Sequence, residues 1–142
     1  MSGRDTRPEP VTCRTVVALV EEEAALPVMT DLRYDSAEPY SVSMAFNAGT
    51  DVAIEWEFGR ELLVAGRRRL AGLGDVQVWP EEIRGHGLVY MSFRSGWEKF
   101  VVATSAVVID EFLHRTFEAV PLGEESRHVG VEIRVSHLPD DA

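Results

Sequence analysis

Apolar and polar residues alternate most clearly in two neighbouring segments of the first half of the chain. In YSVSMAF, residues 40–46, and in DVAIEWEF, residues 51–58, every second side chain is a large apolar one. A period of two is typical of a β-strand with one buried face. The connecting NAGT contains Asn and Gly, which tolerate the positive φ of a tight loop, so we predict an antiparallel hairpin.

Four further segments have the composition of strands. Residues 11–20 (VTCRTVVALV) are rich in β-branched residues and are followed by the acidic run Glu21–Glu23, which indicates a strand and then a loop. Strands are also predicted at about 75–79, 88–94 and 98–103, because glycine-containing breaks separate these segments. The domain is therefore rich in antiparallel β-structure.

Two segments have a helical pattern. Residues 59–66 (GRELLVAG) allow about two helical turns ending at Gly66, and the basic triplet Arg67–Arg69 follows where cations favour a helix C-terminus. From Ser105 the apolar period becomes 3.6, which predicts a longer amphipathic helix that Pro121 stops. The apolar stripe of this helix consists of Ile109, Phe112, Leu113, Phe117 and Val120.

The two ends of the chain are less regular. Residues 1–10 contain two prolines and four charged residues, which predicts a flexible arm, and residues 139–142 form an acidic tail. Residues 11–138 are predicted to form one domain. Within residues 124–138, alternating valines and an isoleucine favour a strand, but a helical stripe also fits, and the pattern leaves both possibilities open.

The net charge of the chain affects which kinds of partner it can bind. The chain of 142 residues has 14 basic and 24 acidic residues, for a formal charge of −10. Such a charge repels phosphate backbones, so nucleic acid is disfavoured as a partner. A single cysteine suits a reducing compartment, and no apolar run approaches the length of a membrane span. We expect a cytoplasmic protein without a membrane span.

No residue pattern in this sequence indicates a catalytic site. None of the phosphate-cradling or nucleophile-elbow motifs is present, and the four histidines lack the paired spacing of a zinc site. The carboxylates occur in adjacent pairs or runs, which point to opposite faces of a strand rather than towards each other. We therefore expect the protein not to be an enzyme and to bind neither a cofactor nor a metal.

The segment GDVQVWP, residues 74–80, raises the question of an interaction surface. We predict that Val76 and Val78 share one face and that Pro80 ends the strand, so that Trp79 lies at its rim. There Trp79 either caps the core or offers its ring to a partner, since Trp and Arg are frequent interface anchors.

The same two interpretations apply to LRYDSAEPY, residues 32–40. Arg33 and Tyr34 are either anchors for a partner or tie the loop down through a contact between Arg33 and Asp35. The candidate partner-binding residues are Arg33, Tyr34, Asp35, Tyr40, Asp75 and Trp79.

Four stretches carry a resemblance to a known family. They are LPVMTDLRYDSAEPYSV at 26–42, WEFGRELLVAG at 56–66, GLGDVQVWP at 72–80 and FLHRTFEAVPLGEE at 112–125. In order and spacing they resemble the SsgA-like proteins, which are sporulation and cell-division regulators of actinomycetes. The resemblance covers most of residues 11–125.

The resemblance implies a non-enzymatic adaptor of sporulation-specific septation. Its partners would be division proteins, either the tubulin-like FtsZ or another SsgA-like protein, and its place of action the septum. The implied fold is α+β and Whirly-like: antiparallel sheets with one short and one longer helix, assembling as a homo-oligomer, with a trimer favoured. Single-stranded nucleic-acid binders share that fold, so this activity is the alternative function, which the acidic charge opposes.

Overall fold

A computed structural model describes residues 9–128, which contain seven β-strands and two α-helices. The strands are β1 (Val11–Val20), β2 (Ala25–Tyr34), β3 (Ser41–Phe46), β4 (Ile54–Gly59), β5 (Val76–Ile83), β6 (His86–Ser95) and β7 (Glu98–Ser105). The helices are α1 (Arg60–Gly66), between β4 and β5, and α2 (Ala106–Ala119), after β7. A short 3₁₀ helix follows at Glu125–Arg127.

All seven strands belong to one antiparallel sheet with the order β4-β3-β2-β1-β7-β6-β5. The sheet curls so that its two halves face each other. Phe46 on β3 and Trp56 on β4 contact Phe93 on β6, with ring centroids 5.3 and 5.2 Å apart. The curl creates an inner face, which holds the core, and an outer face. This architecture confirms the predicted α+β class.

Helix α2 closes the inner face. Ser105 caps its first turn, since the Ser105 hydroxyl accepts a hydrogen bond from the Val108 N–H. The predicted stripe faces inward, with Ile109, Phe112 and Leu113 all buried. The helix ends at Ala119, ahead of Pro121, so its predicted position is confirmed.

Helix α1 connects the two edges of the sheet and packs closely on β5. Leu63 is fully buried, and Gly66 lies against Val78 so tightly that a Cβ atom at position 66 would overlap the Val78 side chain. The predicted end of the helix at Gly66 is confirmed.

The sequence interpretation did not identify β2, whose ten residues all pair with β1, from Val11↔Tyr34 to Val20↔Ala25. Pro27 lies within this strand, although proline cannot donate to a ladder. The strand accepts it because β3 pairs with β2 only from Thr30 onwards. The Met29 carbonyl accepts from the Ala48 N–H, so Met29 and, by alternation, Pro27 direct their backbone groups away from β1. At Pro27 that side of β2 is an edge of the sheet, so no ladder hydrogen bond is lost.

The prediction that Pro80 ends its strand is wrong, since β5 continues to Ile83. The Arg94 N–H donates to the Asp75 carbonyl at 2.9 Å, and antiparallel alternation then directs the backbone of every second residue towards β6. Pro80 is opposite Val89 at a position where its nitrogen faces away from β6. Trp79 therefore lies within an edge strand, not at the end of one.

Some predictions fall outside the described residues. These are most of the N-terminal arm, the acidic tail and the choice between helix and strand for residues 129–138. For residues 124–128 the structure gives a 3₁₀ turn.

Candidate partner-binding site

The six predicted partner-binding residues do not form one site. Arg33, Tyr34, Asp35 and Tyr40 lie at the connection between β2 and β3, whereas Asp75 and Trp79 lie on or beside β5, at the far edge of the sheet. Two separate surfaces therefore have to be considered.

The β2–β3 connection is held by local hydrogen bonds. The Tyr34 hydroxyl donates to the Pro39 carbonyl at 2.9 Å, and the Asp35 carboxylate accepts from the Ala37 N–H at 2.9 Å. Arg33 approaches Asp35 at 3.8 Å, as one of the two sequence interpretations required. Tyr34 is only 1% exposed, so in this conformation its ring does not act as a surface anchor, contrary to the other interpretation.

Arg60, the first residue of α1, is the one charged residue among residues 9–128 that is buried, with an exposure of only 2%. Its guanidinium donates to the carbonyls of Thr116 and Val120, at 3.1 and 2.9 Å, and to the Glu125 carboxylate at 2.9 Å. The Thr116 carbonyl also accepts from the Val120 N–H, whereas the Val120 carbonyl lies past the last helical turn; carbonyls at a helix C-terminus carry partial negative charge. Arg60 therefore donates hydrogen bonds to carbonyls at the C-terminus of α2 and links the 3₁₀ turn to that end of the helix through Glu125.

Two aromatic rings complete the surroundings of Arg60. Its guanidinium carbon lies 4.9 Å from the centre of the Tyr34 ring and 4.1 Å from that of Phe117. Both distances are within the range of cation–π attraction. We call Arg60, Tyr34, Phe117 and Glu125 the Arg60 cluster.

The electrostatics of the cluster favour the charged form of Glu125. A hydrogen bond from its own backbone N–H and a second one from Arg60 hold the pKa of Glu125 below its usual value. The pKa of Tyr34 is raised because burial disfavours the phenolate. The cluster is thus an ion pair with a neutral phenol beside it.

A pocket of about 260 Å³ opens directly above the Arg60 cluster. Tyr40 and Leu122 stand at its rim and are 57% and 72% exposed. Cofactor pockets typically have volumes of about 300–1,000 Å³, so this one suits a single large apolar side chain better. We call it the Tyr40 pocket, and it is lined by Pro39, Tyr40, Gly59, Arg60, Glu61, Val64, Phe117, Leu122 and Glu125.

The Tyr40 pocket is built from three of the four stretches that carry the family resemblance. Residues 26–42 supply Tyr40, residues 56–66 supply Arg60, and residues 112–125 supply Phe117 and Glu125. Of the six predicted residues, only Tyr40 lines the pocket. The sequence interpretation missed the others, although the shared stretches contain them.

Trp79 belongs to the second surface, on the outer face of the sheet. Its ring packs against that of Tyr90 on β6, with centroids 5.7 Å apart, and it is half-buried. A shallow depression beside it is also lined by Arg69 and the exposed Leu70. Trp79 thus covers part of the sheet and is still accessible to a partner, while Asp75 is exposed ahead of β5.

Uncharged residues continue from Trp79 across the outer face. The register places Trp79, Tyr90, Ala103 and Ala18 opposite one another in a single row. The neighbouring pair Val16 and Met29 is 54% and 41% exposed. We call these six residues the outer apolar face. Of the six, Val16 and Met29 are exposed, Trp79, Tyr90 and Ala18 are half-buried, and Ala103 is buried. Exposed apolar surface is a common mark of protein–protein contact.

The described residues show no metal-binding arrangement. Among residues 9–128, no group of three or more His, Cys, Asp or Glu side chains is placed to hold a metal ion. Within the same range, neither helix has the length and apolar composition needed to cross a membrane. Partial burial raises the pKa of the Cys13 thiol.

The fold and these surfaces define a small α+β domain with a mainly apolar pocket beside its helices and an uncharged outer sheet face. Comparison with known families then gives the identity. The family model described as "Streptomyces sporulation and cell division protein, SsgA" matches residues 28–125. The chain belongs to this SsgA family.

Curated relatives match over nearly their whole length. The chain is 40% identical over 129 residues to the sporulation-specific cell division protein SsgB of Streptomyces coelicolor, covering 90% of this chain and 94% of the relative. It is also 40% identical over 135 residues to SsgB of Frankia casuarinae, covering 93% of each.

Solved structures of the family have the same fold. The SsgA-like sporulation-specific cell division protein of Thermobifida fusca superimposes with a TM-score of 0.82 at 32% identity, covering 91% of this chain and 95% of that one. A structure reported with SsgB mutations that correlate with longitudinal cell division in Streptomyces coelicolor gives a TM-score of 0.79 at 40% identity. It covers 84% of this chain and 95% of that one.

Proposed function

We propose that this protein is a non-enzymatic adaptor of sporulation-specific cell division. It acts in the cytoplasm at the septum, where it helps to localise or control the septation machinery by binding FtsZ directly or through another SsgA-like protein. The names of the relatives support the process. The observation that carries the binding role is the Tyr40 pocket, an accessible apolar pocket built from three of the family-like stretches.

The pocket fits the physics of an interface anchor. Its floor is rigid, because Arg60 is fixed by three hydrogen-bond partners, so little ordering cost arises on binding. Its rim residues Tyr40 and Leu122 are exposed and apolar, so a partner side chain that enters covers both. A few well-packed anchors of this kind carry most of the energy of a typical interface.

Binding of single-stranded nucleic acid is the less favoured function. Base-stacking surfaces combine aromatic rings with a positively charged groove. Here Trp79 and Tyr90 lie on a chain with a formal charge of −10, and exposed Glu81 and Glu82 follow on the same strand. No comparison with known proteins supports this activity.

The partner-binding prediction is tested by co-sedimentation of the purified protein with assembled FtsZ from the same organism, at physiological salt. We expect binding, and we expect Tyr40→Ala to weaken it about tenfold, since anchor truncations commonly cost 1–2 kcal/mol or more. Arg33→Ala and Trp79→Ala test the two other predicted positions. Trp97→Ala is the matched aromatic control, because Trp97 is fully exposed in the β6–β7 turn, outside both surfaces.

Each outcome of this assay has a clear meaning. Wild-type affinity in a folded Tyr40→Ala variant would remove the pocket from the interface. Binding to another SsgA-like protein in place of FtsZ would assign recruitment to that intermediary. Tight, steeply salt-dependent binding of single-stranded DNA, measured in parallel, would favour the nucleic-acid function instead.

We also propose that the protein is a homo-oligomer, with a trimer favoured by the family resemblance, and that the outer apolar face forms the contact. Val16→Glu is then expected to give a monomer by light scattering, because a carboxylate would be buried in the contact. Val107→Glu is the control, since it places the same change on an exposed position of α2. A Val16→Glu variant with unchanged mass would exclude this face.

A further inference from the structure

The free edge of the sheet at β4 offers hydrogen-bonding groups to a partner. Among the described residues, β4 pairs only with β3. The Arg60 N–H donates to the Tyr40 carbonyl at 2.8 Å, one step beyond the last ladder pair Ser41↔Gly59, and this bond sets the alternation along β4. Antiparallel alternation then turns the N–H and C=O groups of Glu55 and Glu57 away from β3. The edge therefore presents two donors and two acceptors.

The other edge of the sheet, at β5, is protected. Val78 directs its backbone groups outward and exchanges both hydrogen bonds with Ala71, at 2.8 and 3.0 Å. The next outward position is Pro80, which has no N–H to offer. Coverage and proline are two devices by which proteins prevent unwanted strand pairing. In the described part of the chain, β4 has neither of them.

We propose that β4 accepts an extended, positively charged segment of a partner protein as an additional strand of the sheet. This inference rests on the proposed adaptor function and assigns to it a second contact, beside the Tyr40 pocket. Strand addition gives affinity through main-chain hydrogen bonds and specificity through the alternating side chains. Gly59 lies at the end of β4 and lines the Tyr40 pocket, so one partner could reach both places.

Side chains on the outer face of β4 determine the charge of the segment. Glu55 and Glu57 are exposed there, and a groove of about 100 Å³ joins them to Asp35 and Glu38 on the β2–β3 connection. Arg33 is the one basic side chain lining this groove. Cross-strand neighbours point to the same face of a sheet, so residues opposite the glutamates would best be lysine or arginine.

Side chains on the inner face of β4 determine which residues of the added segment would fit between its basic residues. Ile54 is exposed at the end of β4, and Trp56 is only partly buried against the core. An added strand would cover both if its alternate residues were apolar. The fitting segment thus alternates basic and apolar residues.

A second copy of this chain fits the edge poorly. Antiparallel pairing of β4 with β4 would place glutamates of the two copies opposite one another on the same face. Like charges directly opposite in a sheet are destabilising. The acidic edge therefore disfavours self-pairing and leaves a basic partner as the occupant.

The proposal is tested with short fluorescent peptides and the full-length protein. The first peptide alternates lysine and valine, the second has the same sequence with every second backbone nitrogen methylated, and the third alternates glutamate and valine. We expect the first to bind at least about tenfold more tightly than the other two, since they lack the ladder donors or the complementary charge. Its binding should also slow amide exchange at Glu55 and Glu57.

Variants of β4 distinguish the contribution of its backbone hydrogen-bonding groups from that of its two glutamate charges. Glu57→Pro removes an outward N–H without removing a bond to β3, so a folded variant is expected to lose most of the binding. The double variant Glu55→Gln/Glu57→Gln keeps the backbone edge and is expected to weaken binding several-fold at low salt. Glu21→Gln/Glu22→Gln removes the same two charges from the exposed β1–β2 turn and should bind as the wild type does.

Equal affinity for the methylated peptide, or unchanged binding and amide exchange in the edge variants, would overturn the proposal. If Glu57→Pro does not fold, the methylated peptide and the Gln double variant still decide the question. The peptide assay contains no division protein, so its failure is distinguishable from failure of the FtsZ co-sedimentation. Loss of FtsZ binding alone would contradict the adaptor function and leave strand addition to be judged by the peptides.

Discussion

Arg60→Met is expected to lower the free energy of unfolding by about 3–5 kcal/mol, the range measured when one partner of a buried ion pair is removed. The methionine fills part of the space but donates no hydrogen bond. The Val120 carbonyl would lose its donor. The Thr116 carbonyl and the Glu125 carboxylate would each lose one donor and keep a bond from a backbone N–H. The cation–π contacts with Tyr34 and Phe117 would be lost as well.

Chemical denaturation followed by circular dichroism measures this change. Arg67→Met is the matched control, because Arg67 also pairs with a carboxylate, that of Asp110, through two hydrogen bonds of 2.6 and 2.9 Å, but the Asp110 side chain is exposed to solvent. An exposed pair contributes about 0–1 kcal/mol, so the control should remain near wild-type stability. Similar losses in the two variants would show that burial does not distinguish the Arg60 cluster.

Gly66→Ala is the second substitution with a large expected effect. We expect it to lower the free energy of unfolding, whereas helix propensity alone would predict an increase. In an exposed helix, alanine is better than glycine by about 1 kcal/mol. At position 66 the added methyl group would overlap the Val78 side chain and approach the Val78 carbonyl carbon to 3.1 Å. Helix α1 would have to move away from β5, so we expect a net loss of about 1–3 kcal/mol, as for other overpacked sites.

Gly74→Ala is the control for Gly66→Ala, since a Cβ atom at Gly74 meets no other atom within 4 Å. Its unfolding midpoint should stay close to that of the wild type, whereas that of Gly66→Ala should fall. A stabilised Gly66→Ala variant would mean that β5 can shift to accommodate the methyl group at little energetic cost and that α1 and β5 are not tightly packed.

Composition, alternation and the 3.6-residue period together predicted most of the fold. Strands β1, β3, β6 and β7 and both helices lie close to their predicted positions. The predicted hairpin of β3 and β4 is present, but β4 begins at Ile54 rather than at residue 51, because the loop extends over residues 47–53 and leaves Val52 exposed. Strand β2, which contains Pro27, was not predicted, and β5 was predicted too short because Pro80 was expected to end it. Whether a proline ends a strand depends on what lies beside it in the sheet, and that neighbour is defined only by the three-dimensional pairing.

The site was harder to predict than the fold. Arg60 follows a strand at the start of a short helix, where an arginine usually faces solvent, and its carbonyl partners lie 56 and 60 residues further along the chain. No local pattern connects such positions. The joint occurrence of the family-like stretches was the available signal, because Arg60 and Glu125 each lie within one of them.

The location of Arg60 beneath the Tyr40 pocket has a consequence for genetics. Substitutions of Arg60 would reduce the amount of folded protein in the cell, and a screen for sporulation defects would recover them together with true binding mutants. Measuring the abundance of each mutant protein separates the two groups. Changes that alter partner choice at normal abundance should instead be found at the rim, at Tyr40 and Leu122, which contribute little to the core.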